Sequence, residues 1–363
     1  MMKAAVLYER RAQMIVEEVD LKPPVAGEVR VQIKAAGVCH SDYHHWNSEY
    51  GSVLPLVLGH EVAGVVDAVG DGVAKVRPGD RVVLAFGHRC GECFYCLKGE
   101  PYLCTPPADA PLLKRFPRIW KGSQGINSFL AVGAFSQYTV MPATNVIPLP
   151  DDVPFEVGAL VGCAVATAFG VVVNAAKVQP GSTVLVIGCG GVGLNVVQVA
   201  ALVGAAKIIA VDILDNKLKY AEQFGATHCI NASKEDVVSR VRALTGGFGA
   251  DYAFEVISHP KTIEQAYESL RKGGVAVIVG MAPPGATLPL DPLAMMRTSR
   301  VIMGTAYGNI RPAMDFPRIL ELYRAGKLKL KELVSRRFGL TEINDAFRAL
   351  GAGEVARGLV VFD

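Results

Sequence analysis

Four cysteines lie close together near residue 100, with the spacing C-x2-C-x2-C-x7-C. Four thiolates on one short segment can complete a tetrahedral zinc shell with zinc–sulfur distances of about 2.3 Å, which leaves no coordination position for a substrate. Disulfides or free thiols are the alternative, but eight cysteines in 363 residues fall far below the density of a disulfide-stabilised protein. The spacing therefore predicts a structural zinc site, formed by Cys90, Cys93, Cys96 and Cys104.

A second set of candidate metal ligands is spread along the chain and consists of Cys39, His60 and Cys163. Each of these residues alone is more typical of ordinary packing, because an isolated buried cysteine behaves as a small apolar side chain. Together they supply two sulfur ligands and one nitrogen ligand, which leaves the fourth position of a tetrahedral zinc ion open. Two thiolates cancel the formal charge of the ion, so this set predicts a catalytic zinc suited to binding an alkoxide during a redox reaction.

The third chemical signal is the glycine-rich sequence GCGGVG at residues 188–193, which matches the pattern G-x-G-x-x-G. It follows the strand-like run TVLVI and opens a helix-like run, and Asp212 lies 19 residues beyond Gly193 at the end of the run IIAVD. Such glycines let a pyrophosphate approach the N-terminus of a helix, while the acidic residue binds the adenosine ribose. A glycine-rich turn without a ligand is the alternative, but this context favours a site for NAD.

The elements around these signals divide the sequence into two kinds of segment. Residues 1–150 contain short alternating runs such as EVRVQIK, separated by glycine and proline, which predicts a β-rich unit with few helices. From about residue 183 the pattern changes to strand, helix, strand, which is typical of a parallel sheet with helices on both faces. After about residue 300 the sequence is mixed and ends in an amphipathic helix at 342–350 and the strand-like run LVVF. We therefore expect an α/β domain inserted between two parts of a β-rich domain.

Composition narrows the classes of function. Apolar residues make up 51% and charged residues 20% of the chain, which excludes a disordered protein. The net charge is only +3 and the basic residues form no stripe, so no nucleic acid or membrane partner is expected and a small molecule is favoured. Uncharged stretches at about 157–173 and 181–206 have the length of a membrane span, but their glycines favour buried core. Charged residues near Met1 leave no room for a secretion signal, so we expect a cytoplasmic protein.

Three longer motifs extend these signals: GHEVAGVVDAVGDGV around His60, GGVGL in the glycine-rich turn, and AFSQYTV from residue 134. On these motifs the sequence resembles the zinc-containing medium-chain alcohol dehydrogenases, over essentially its whole length. The resemblance implies an α/β fold in which a Rossmann domain, a doubly wound parallel sheet, interrupts a GroES-like β-rich catalytic domain, with the active site in the cleft between them. It implies a catalytic domain at 1–164 and 307–363, a structural zinc lobe at about 88–106, and a Rossmann NAD-binding domain at 165–306.

The resemblance also implies roles for individual residues. Around the catalytic zinc it places Cys39, His60 and Cys163 as ligands, Glu61 beside the metal, and Asp42 as the partner that orients His60. In the proton path it places Ser41 at the substrate hydroxyl and His44 at the outer end. The residues implied to contact the dinucleotide are His40, Thr167, Gly188, Gly190, Gly191, Val192, Gly193, Asp212, Lys217 and Arg357. Those implied to line the substrate pocket are Tyr50, Phe86 and Met281.

The function implied is the reversible oxidation of primary or secondary alcohols to aldehydes or ketones by NAD⁺, with zinc and NAD as cofactors. Three alternatives stay open: an enzyme that keeps its nicotinamide and passes electrons to an external acceptor, a thiol-adduct formaldehyde dehydrogenase, and a metal-free structural protein on the same fold. Glutathione-dependent formaldehyde dehydrogenases carry an aspartate where this chain has Tyr50 and an arginine where it has Ala108. These two differences argue against that activity.

Further features bear on the cofactor and the assembly. His40 stands where some animal-type members carry an arginine to the pyrophosphate, which predicts weaker and pH-dependent cofactor binding. The segment at 104–135 is long, as in dimeric animal-type members, so we expect a homodimer, with a homotetramer as the alternative. Cys189 and Cys229 have no histidine or cysteine at a plausible spacing and are interpreted as packing residues.

Overall fold

The computed structural model describes residues 1–47, 50–106 and 117–363. The chain forms two compact units. The β-rich unit consists of Met1–Cys163, Arg311–Gly326 and Leu330–Asp363, and the α/β unit consists of Ala164–Ile310 and Lys327–Lys329. Residues 164, 307–310 and 327–329, which the sequence assigns to the catalytic domain, are thus placed in the α/β unit. Close packing accounts for part of this difference, because a Cβ atom on Gly308 would lie 2.3 Å from the carbonyl oxygen of Thr167 in the same unit.

The described residues form the following elements. The strands, in chain order, are β1 (Met2–Leu7), β2 (Ile15–Leu21), β3 (Glu28–Val38), β4 (Leu56–Val57), β5 (Glu61–Val69), β6 (Arg81–Leu84), β7 (Ile119–Lys121), β8 (Gln124–Ser128), β9 (Tyr138–Pro142), β10 (Val146–Pro148), β11 (Thr183–Ile187), β12 (Lys207–Asp212), β13 (His228–Asn231), β14 (Ala250–Glu255), β15 (Leu270–Ile278), β16 (Val301–Gly304), β17 (Val334–Phe338) and β18 (Arg357–Val361). The α-helices are α1 (His40–Trp46), α2 (Phe94–Leu97), α3 (Phe155–Leu160), α4 (Ala166–Gly170), α5 (Gly191–Leu202), α6 (Asp215–Gln223), α7 (Val237–Leu244), α8 (Pro260–Glu268), α9 (Pro292–Thr298), α10 (Pro312–Arg324) and α11 (Ile343–Gly351). The helix predicted at 342–350 is therefore present as α11, and most of the run LVVF lies in β18.

The β-rich unit contains a closed barrel and a second sheet. The barrel is ordered β1-β2-β7-β8-β4, and the second sheet is ordered β10-β6-β5-β3-β18-β17, with β9 also paired to β3. The alternating run EVRVQIK in β3 buries Val29, Val31 and Ile33 completely. This is the period of two expected for a strand with one face in the core. The predicted β-rich unit is thus built on alternating strands that enclose an apolar interior.

The α/β unit contains a parallel sheet of six strands, ordered β13-β12-β11-β14-β15-β16. Counted within the unit, this order is 3-2-1-4-5-6, the arrangement of a Rossmann dinucleotide-binding domain. Residues 184–187 of β11 are all buried, as expected for a central parallel strand that is covered on both faces. The predicted combination of a doubly wound parallel sheet with a β-rich unit is confirmed. Ligands of such sheets bind outside the carboxyl ends of the strands where the order reverses, which here is between β11 and β14.

One helical stretch, Phe155–Ala175, is long and apolar enough to cross a membrane, with a mean hydropathy of 2.0. It comprises α3, α4 and two π-helical turns, Val161–Val165 and Val171–Ala175. The most apolar part of this stretch is 83% buried inside the protein. Such burial is the behaviour of a core helix, and it agrees with the interpretation of this stretch as core.

Candidate metal centres and dinucleotide turn

The three residues predicted to bind the catalytic metal converge in the β-rich unit. Cys39 lies between β3 and α1, His60 immediately precedes β5, and Cys163 lies in a π-helical turn. β3 and β5 pair in antiparallel register, with Gly37 opposite Glu61. This register brings the end of β3 next to the start of β5, so Cys39 lies beside His60. The ligand atoms of Cys39, His60, Glu61 and Cys163 lie within 4.8 Å of one another, and all four residues are buried.

A buried carboxylate fixes the orientation of the histidine. Oδ1 of Asp42 accepts a hydrogen bond from the backbone N–H of Gly59 at 2.8 Å and lies 3.1 Å from Nδ1 of His60. Oδ2 of Asp42 accepts from the backbone N–H of Cys39 at 3.2 Å. Because Nδ1 is occupied by Asp42, Nε2 of His60 faces the thiols and lies 3.3 Å from Sγ of Cys163. A nitrogen and a sulfur on one tetrahedral zinc ion are about 3.5 Å apart.

The ionisation of the two thiols shows what kind of ligand the buried set fits. The thiol of Cys163 donates a hydrogen bond to the sulfur of Cys39, which lowers the pKa of Cys39 well below its usual value. The same hydrogen bond, together with burial, raises the pKa of Cys163. Without a cation, the hydrogen bond between the two sulfurs thus favours the thiolate of Cys39 and the thiol of Cys163. A divalent cation removes this difference, because metal binding releases the proton and stabilises both thiolates.

Glu61 adds a buried carboxylate to the set. Burial raises the pKa of Glu61 to about 7, although the guanidinium of Arg357 opposes this effect. Nη1 of Arg357 lies 3.3 Å from Oε1 of Glu61, but neither carboxylate oxygen has a hydrogen-bond partner among the residues that the structure describes. A Cβ atom on Gly37 would lie 1.9 Å from Oε2, so glycine makes room for this side chain. A buried carboxylate without hydrogen bonds, next to two cysteines and a histidine, fits a zinc site.

The short helix α1 carries the residues predicted for the proton path. Oγ of Ser41 lies 3.9 Å from Sγ of Cys39. His44 follows Ser41 by three residues, and this spacing places both side chains on the same helix face. The ring of His44 stands edge-on to Tyr50 with 5.7 Å between ring centroids, and it lies 6.4 Å from the ring of His40. One helix that begins directly after a metal ligand therefore positions Ser41, His44 and His40.

Aromatic rings pack against the ligand His60, and the sequence identified only part of this cluster. Phe86, predicted to line the substrate pocket, stands edge-on to His60 with 5.1 Å between ring centroids. Phe129, which no motif marked, stands edge-on to His60 at 5.5 Å and lies 4.4 Å from the ring of His45. His45 in turn stacks on Tyr50 at 5.3 Å, and burial lowers the pKa of His45. The surroundings of the metal set are thus aromatic, and the imidazole of His45 is favoured in its uncharged form.

The four-cysteine set lies in the lobe that contains α2. The backbone N–H of Cys93 donates to Sγ of Cys90 at 3.3 Å, and the N–H of Cys90 donates to Sγ of Cys104 at 3.3 Å. The sulfur of Cys104 lies 3.6 Å from that of Cys90 and 3.9 Å from that of Cys93. Four sulfurs around one zinc ion are expected about 3.8 Å apart. The ligand atoms of Cys90, Cys93, Cys96 and Cys104 lie within 4.8 Å of one another, so the geometry fits one closed zinc shell.

In the α/β unit, the glycine-rich turn joins β11 to α5. Gly188 has φ of +99°, a conformation that favours glycine. A Cβ atom on Gly193 would lie 1.8 Å from the carbonyl oxygen of Gly188, so glycine is required for this close approach. Gly190 precedes α5, whose first two residues are Gly191 and Val192. The turn therefore leaves the N-terminus of α5 open to an anionic group such as a pyrophosphate.

Asp212 is the last residue of β12, and its side chain is hydrogen-bonded to the glycine-rich turn. Oδ2 of Asp212 accepts a hydrogen bond from the backbone N–H of Cys189 at 2.9 Å. Oδ1 accepts from the backbone N–H of Ile213 at 2.8 Å and from that of Leu214 at 3.1 Å. Lys217 lies in the first turn of α6, directly after this segment. The carboxylate is therefore held at the carboxyl edge of the sheet, where the sequence pattern expects a ribose.

Three more of the residues implied to contact ligands have defined positions within their own units. Thr167 lies in α4, and Met281, which is 39% exposed, follows β15. Arg357 begins β18 and is buried in its ion pair with Glu61. Their contacts with a dinucleotide or a substrate stay predictions.

The remaining cysteines belong to neither metal set. Cys189 is buried, with Sγ 3.6 Å from the carbonyl oxygen of Val211, and Cys229 is partly buried in β13. Within residues 1–47, 50–106 and 117–363, neither belongs to a cluster that could hold a metal ion. Ala108, on which part of the comparison with formaldehyde dehydrogenases depends, lies outside the described residues.

Known proteins resemble this chain along its whole length. Residues 25–151 match the family described as alcohol dehydrogenase GroES-like domain, and residues 191–325 match the family described as zinc-binding dehydrogenase. The S-(hydroxymethyl)glutathione dehydrogenase of Paracoccus denitrificans is 38% identical over 99% of both chains. The NDMA-dependent alcohol dehydrogenase of Amycolatopsis methanolica is 38% identical over 99% of this chain and 98% of its own. The crystal structure of benzyl alcohol dehydrogenase from Acinetobacter calcoaceticus, 31% identical, matches with a TM-score of 0.92 over 100% of this chain and 99% of its own. This chain therefore belongs to the zinc-containing medium-chain alcohol dehydrogenases, a family whose cofactors are zinc and NAD(H).

Proposed function

We propose that this chain oxidises primary and secondary alcohols with NAD⁺ and prefers alcohols that carry a planar aromatic group. The observation that supports the proposal is the buried set of two cysteines and a histidine, with the rings of Phe86 and Phe129 standing edge-on to His60. Planar rings pack favourably against such aromatic edges, and each such pair contributes about 0.5–1.5 kcal/mol beyond the burial of area. A flat substrate therefore gains contacts that a saturated one lacks.

In the β-rich unit, some residues hold the site in place and others transfer the proton of the substrate. When bound, zinc supplies the Lewis acid that makes an alcohol hydroxyl acidic. The hydroxyl of Ser41, beside Cys39, takes the proton of the alcohol as it passes its own proton to His44 on the same face of α1, and His44 releases a proton to water. Asp42 keeps the ring of His60 in one orientation throughout. The glycine-rich turn and Asp212 would hold NAD⁺, which would supply the oxidant that takes the hydride of the alcohol carbon.

The direct test is an assay of the purified protein with NAD⁺ and two alcohols of similar size, benzyl alcohol and cyclohexylmethanol. We expect NADH to form with both alcohols and kcat/KM to be about tenfold higher for benzyl alcohol, which corresponds to about 1.4 kcal/mol of aromatic packing. Equal values would contradict the aromatic preference only. If the protein oxidised neither these two alcohols nor any other alcohol, this result would contradict the proposed activity.

The same preparation tests the alternative in which the nicotinamide never leaves. Protein that is purified with one nucleotide per chain, and that reduces an external acceptor without added NAD⁺, would favour that alternative. We expect instead that added NAD⁺ is required and that its reduction follows alcohol concentration.

The proposed proton path predicts a pH-dependent defect in the variant His44→Gln. We expect kcat/KM for alcohol oxidation to fall about tenfold at pH 6 and less at pH 9, because hydroxide can take the proton directly at high pH. The zinc content should not change, since His44 is not a ligand in the proposed set. A pH profile of kcat/KM that superimposes on the wild-type profile would show that protons leave by another route.

Asp212 is expected to make the enzyme prefer NAD⁺ over NADP⁺. The 2′-phosphate, which NADP⁺ has and NAD⁺ lacks, would lie next to the negatively charged carboxylate of Asp212. The neighbours Ile213 and Leu214 are exposed apolar side chains that offer no positive charge. Because like charges at an interface cost several kcal/mol, kcat/KM should favour NAD⁺ by about 100-fold. The isosteric variant Asp212→Asn should narrow this ratio about tenfold, whereas Asp215→Asn, on the exposed start of α6, should leave it unchanged. An NADP⁺ preference in the wild type would contradict the role of Asp212.

We also propose that the chain acts as a homodimer in the cytoplasm, with a homotetramer as the alternative. The dimer is supported by the length of the segment at 104–135, and the cytoplasm by the use of cysteines as metal ligands instead of disulfides, which suits a reducing compartment. The mass of the purified protein in solution, measured by light scattering, decides between two and four copies.

A further inference from the structure

The turn after β14 in the α/β unit contains a strained residue that no sequence motif marks. Ser258 has φ of +74°, in the left-handed region where residues with side chains are disfavoured and glycine is usual. The residue is also only 4% exposed, so the conformation is not that of a loose surface loop. Strained residues of this kind persist only where their surroundings hold them, and they concentrate at ligand sites.

Two sets of contacts hold Ser258 in this conformation. Oε1 of Glu255 accepts hydrogen bonds from the backbone N–H of Ile257 at 3.0 Å, from that of Ser258 at 2.7 Å and from the hydroxyl of Thr262 at 2.7 Å. On the other side, the Ser258 side chain fills the space above Gly280, where a Cβ atom would lie 1.8 Å from Oγ of Ser258. The turn is therefore fixed both by its own carboxylate and by the chain that follows β15.

A second feature of Ser258 is its buried hydroxyl group. Oγ of Ser258 is buried and has no hydrogen-bond partner in the part of the chain that the structure describes. A serine is therefore not needed here for local bonding, and a glycine would relieve the backbone strain. What the side chain does provide is the contact with Gly280, which holds the turn in addition to the hydrogen bonds of Glu255.

The residue that this turn positions is Ile257, which lies against the glycine-rich turn. A Cβ atom on Gly188 would lie 2.8 Å from Cγ1 of Ile257, so the two turns are in close contact. The backbone N–H of Val256 also donates to the carbonyl oxygen of Ile187 at 2.9 Å. Ile257 is 48% exposed, and it stands at the carboxyl ends of β11 and β14, where a parallel sheet of this order binds its ligand.

We propose that Ser258 is a positioning residue for the dinucleotide: its side chain, wedged over Gly280, holds Ile257 against the Gly188 turn and so shapes one wall of the nucleotide site. The chain thus keeps a strained serine, at a cost in stability, because the fixed turn binds the dinucleotide more tightly than a relaxed one. This inference rests on the proposed use of NAD⁺ by the α/β unit.

The test compares Ser258→Gly with a matched control, Ser299→Gly. Ser299 is also a serine of the α/β unit in the left-handed region, with φ of +51°, but it is exposed at the end of α9. Both variants should melt about 2 °C higher than the wild type, because glycine relieves strain at each position. NADH binding, followed by fluorescence titration, should weaken about tenfold in Ser258→Gly and stay unchanged in Ser299→Gly. With alcohol saturating, KM for NAD⁺ should rise in Ser258→Gly much more than kcat falls.

A second variant probes the same contact from the opposite side. In Gly280→Ala the new methyl group would collide with the Ser258 side chain, so NADH binding should weaken here too. In the double variant Ser258→Gly/Gly280→Ala the methyl group takes the vacated space, and part of the lost affinity should return.

The outcomes separate this inference from the function on which it rests. Wild-type NADH affinity in Ser258→Gly, or loss of affinity in both serine variants alike, would overturn the positioning role while leaving NAD⁺ use intact. A wild-type protein that binds no NADH would instead overturn the proposed cofactor use, and the role of Ser258 with it.

Discussion

Replacing Cys163 by alanine should abolish alcohol oxidation and leave a folded protein. Cys163 is one of only two thiolates in the buried Cys39, His60 and Cys163 set, and its removal leaves a site that no longer cancels the charge of a zinc ion. Without the metal the alcohol hydroxyl keeps its usual acidity, so we expect kcat/KM to fall by more than about 1000-fold. The loss of one buried sulfur costs about 1 kcal/mol of folding free energy, which a protein of this size tolerates.

The measurements for this variant are kcat/KM, zinc per chain and the melting temperature. We expect about one zinc ion per chain instead of about two, with a melting temperature close to that of the wild type. Cys229→Ala is the matched control, because Cys229 is a free cysteine outside both metal sets and its loss should change none of these values by much. Substantial remaining turnover in Cys163→Ala would contradict the assignment of this set as the catalytic centre.

Replacing Cys93 by serine should have the opposite profile, with a large loss of stability. The lobe around α2 has little apolar core, since Phe94 is 71% exposed and Leu97 is 76% exposed. We therefore expect metal binding to supply most of the energy that orders the lobe, as in small zinc-bound domains where the metal contributes on the order of 10 kcal/mol. We expect the melting temperature to fall by about 10 °C and zinc to fall to about one ion per chain.

Activity distinguishes this variant from Cys163→Ala. At a temperature where Cys93→Ser is still folded, kcat/KM per folded chain should stay within about tenfold of the wild type, because the catalytic ligands lie elsewhere in the sequence. Thr105→Ala, an exposed change in the same lobe, is the control and should leave stability unchanged. If Cys93→Ser were inactive but stable, and Cys163→Ala unstable but active, the two metal assignments would have to be exchanged.

The two metal sets differ in how far the sequence alone could identify them. The four-cysteine set is local, since Cys90 and Cys104 are only 14 residues apart, and the spacing alone predicts a closed metal shell. The other set joins Cys39 to Cys163 across more than a hundred residues, so no local spacing marks it; the residue types suggest a metal site, and the resemblance to a family supports the choice of these three residues. The structure supplies the physical reason for the proximity of its first two members, which is the antiparallel pairing of β3 with β5.

Other parts of the site depend on tertiary packing that no pattern in the sequence reports. Phe129 follows β8 without any motif, and only the fold brings its ring to His60. The ion pair of Glu61 with Arg357 joins two buried residues nearly 300 positions apart. The left-handed conformation of Ser258 could not be predicted from the sequence for a different reason. Glycine is the usual sequence signal of this conformation, and here the residue is a serine.

Zinc X-ray absorption spectroscopy on the purified wild-type protein tests the existence of two different zinc sites most directly. One zinc with four sulfur ligands and one with two sulfurs, a nitrogen and an open position should give about two zinc ions per chain and an average of about three sulfur ligands per ion. The spectrum of Cys163→Ala should then show about one zinc ion with four sulfurs only. A wild-type protein with a single zinc ion surrounded by four sulfurs would contradict a catalytic zinc at Cys39, His60 and Cys163, and with it the proposed alcohol oxidation.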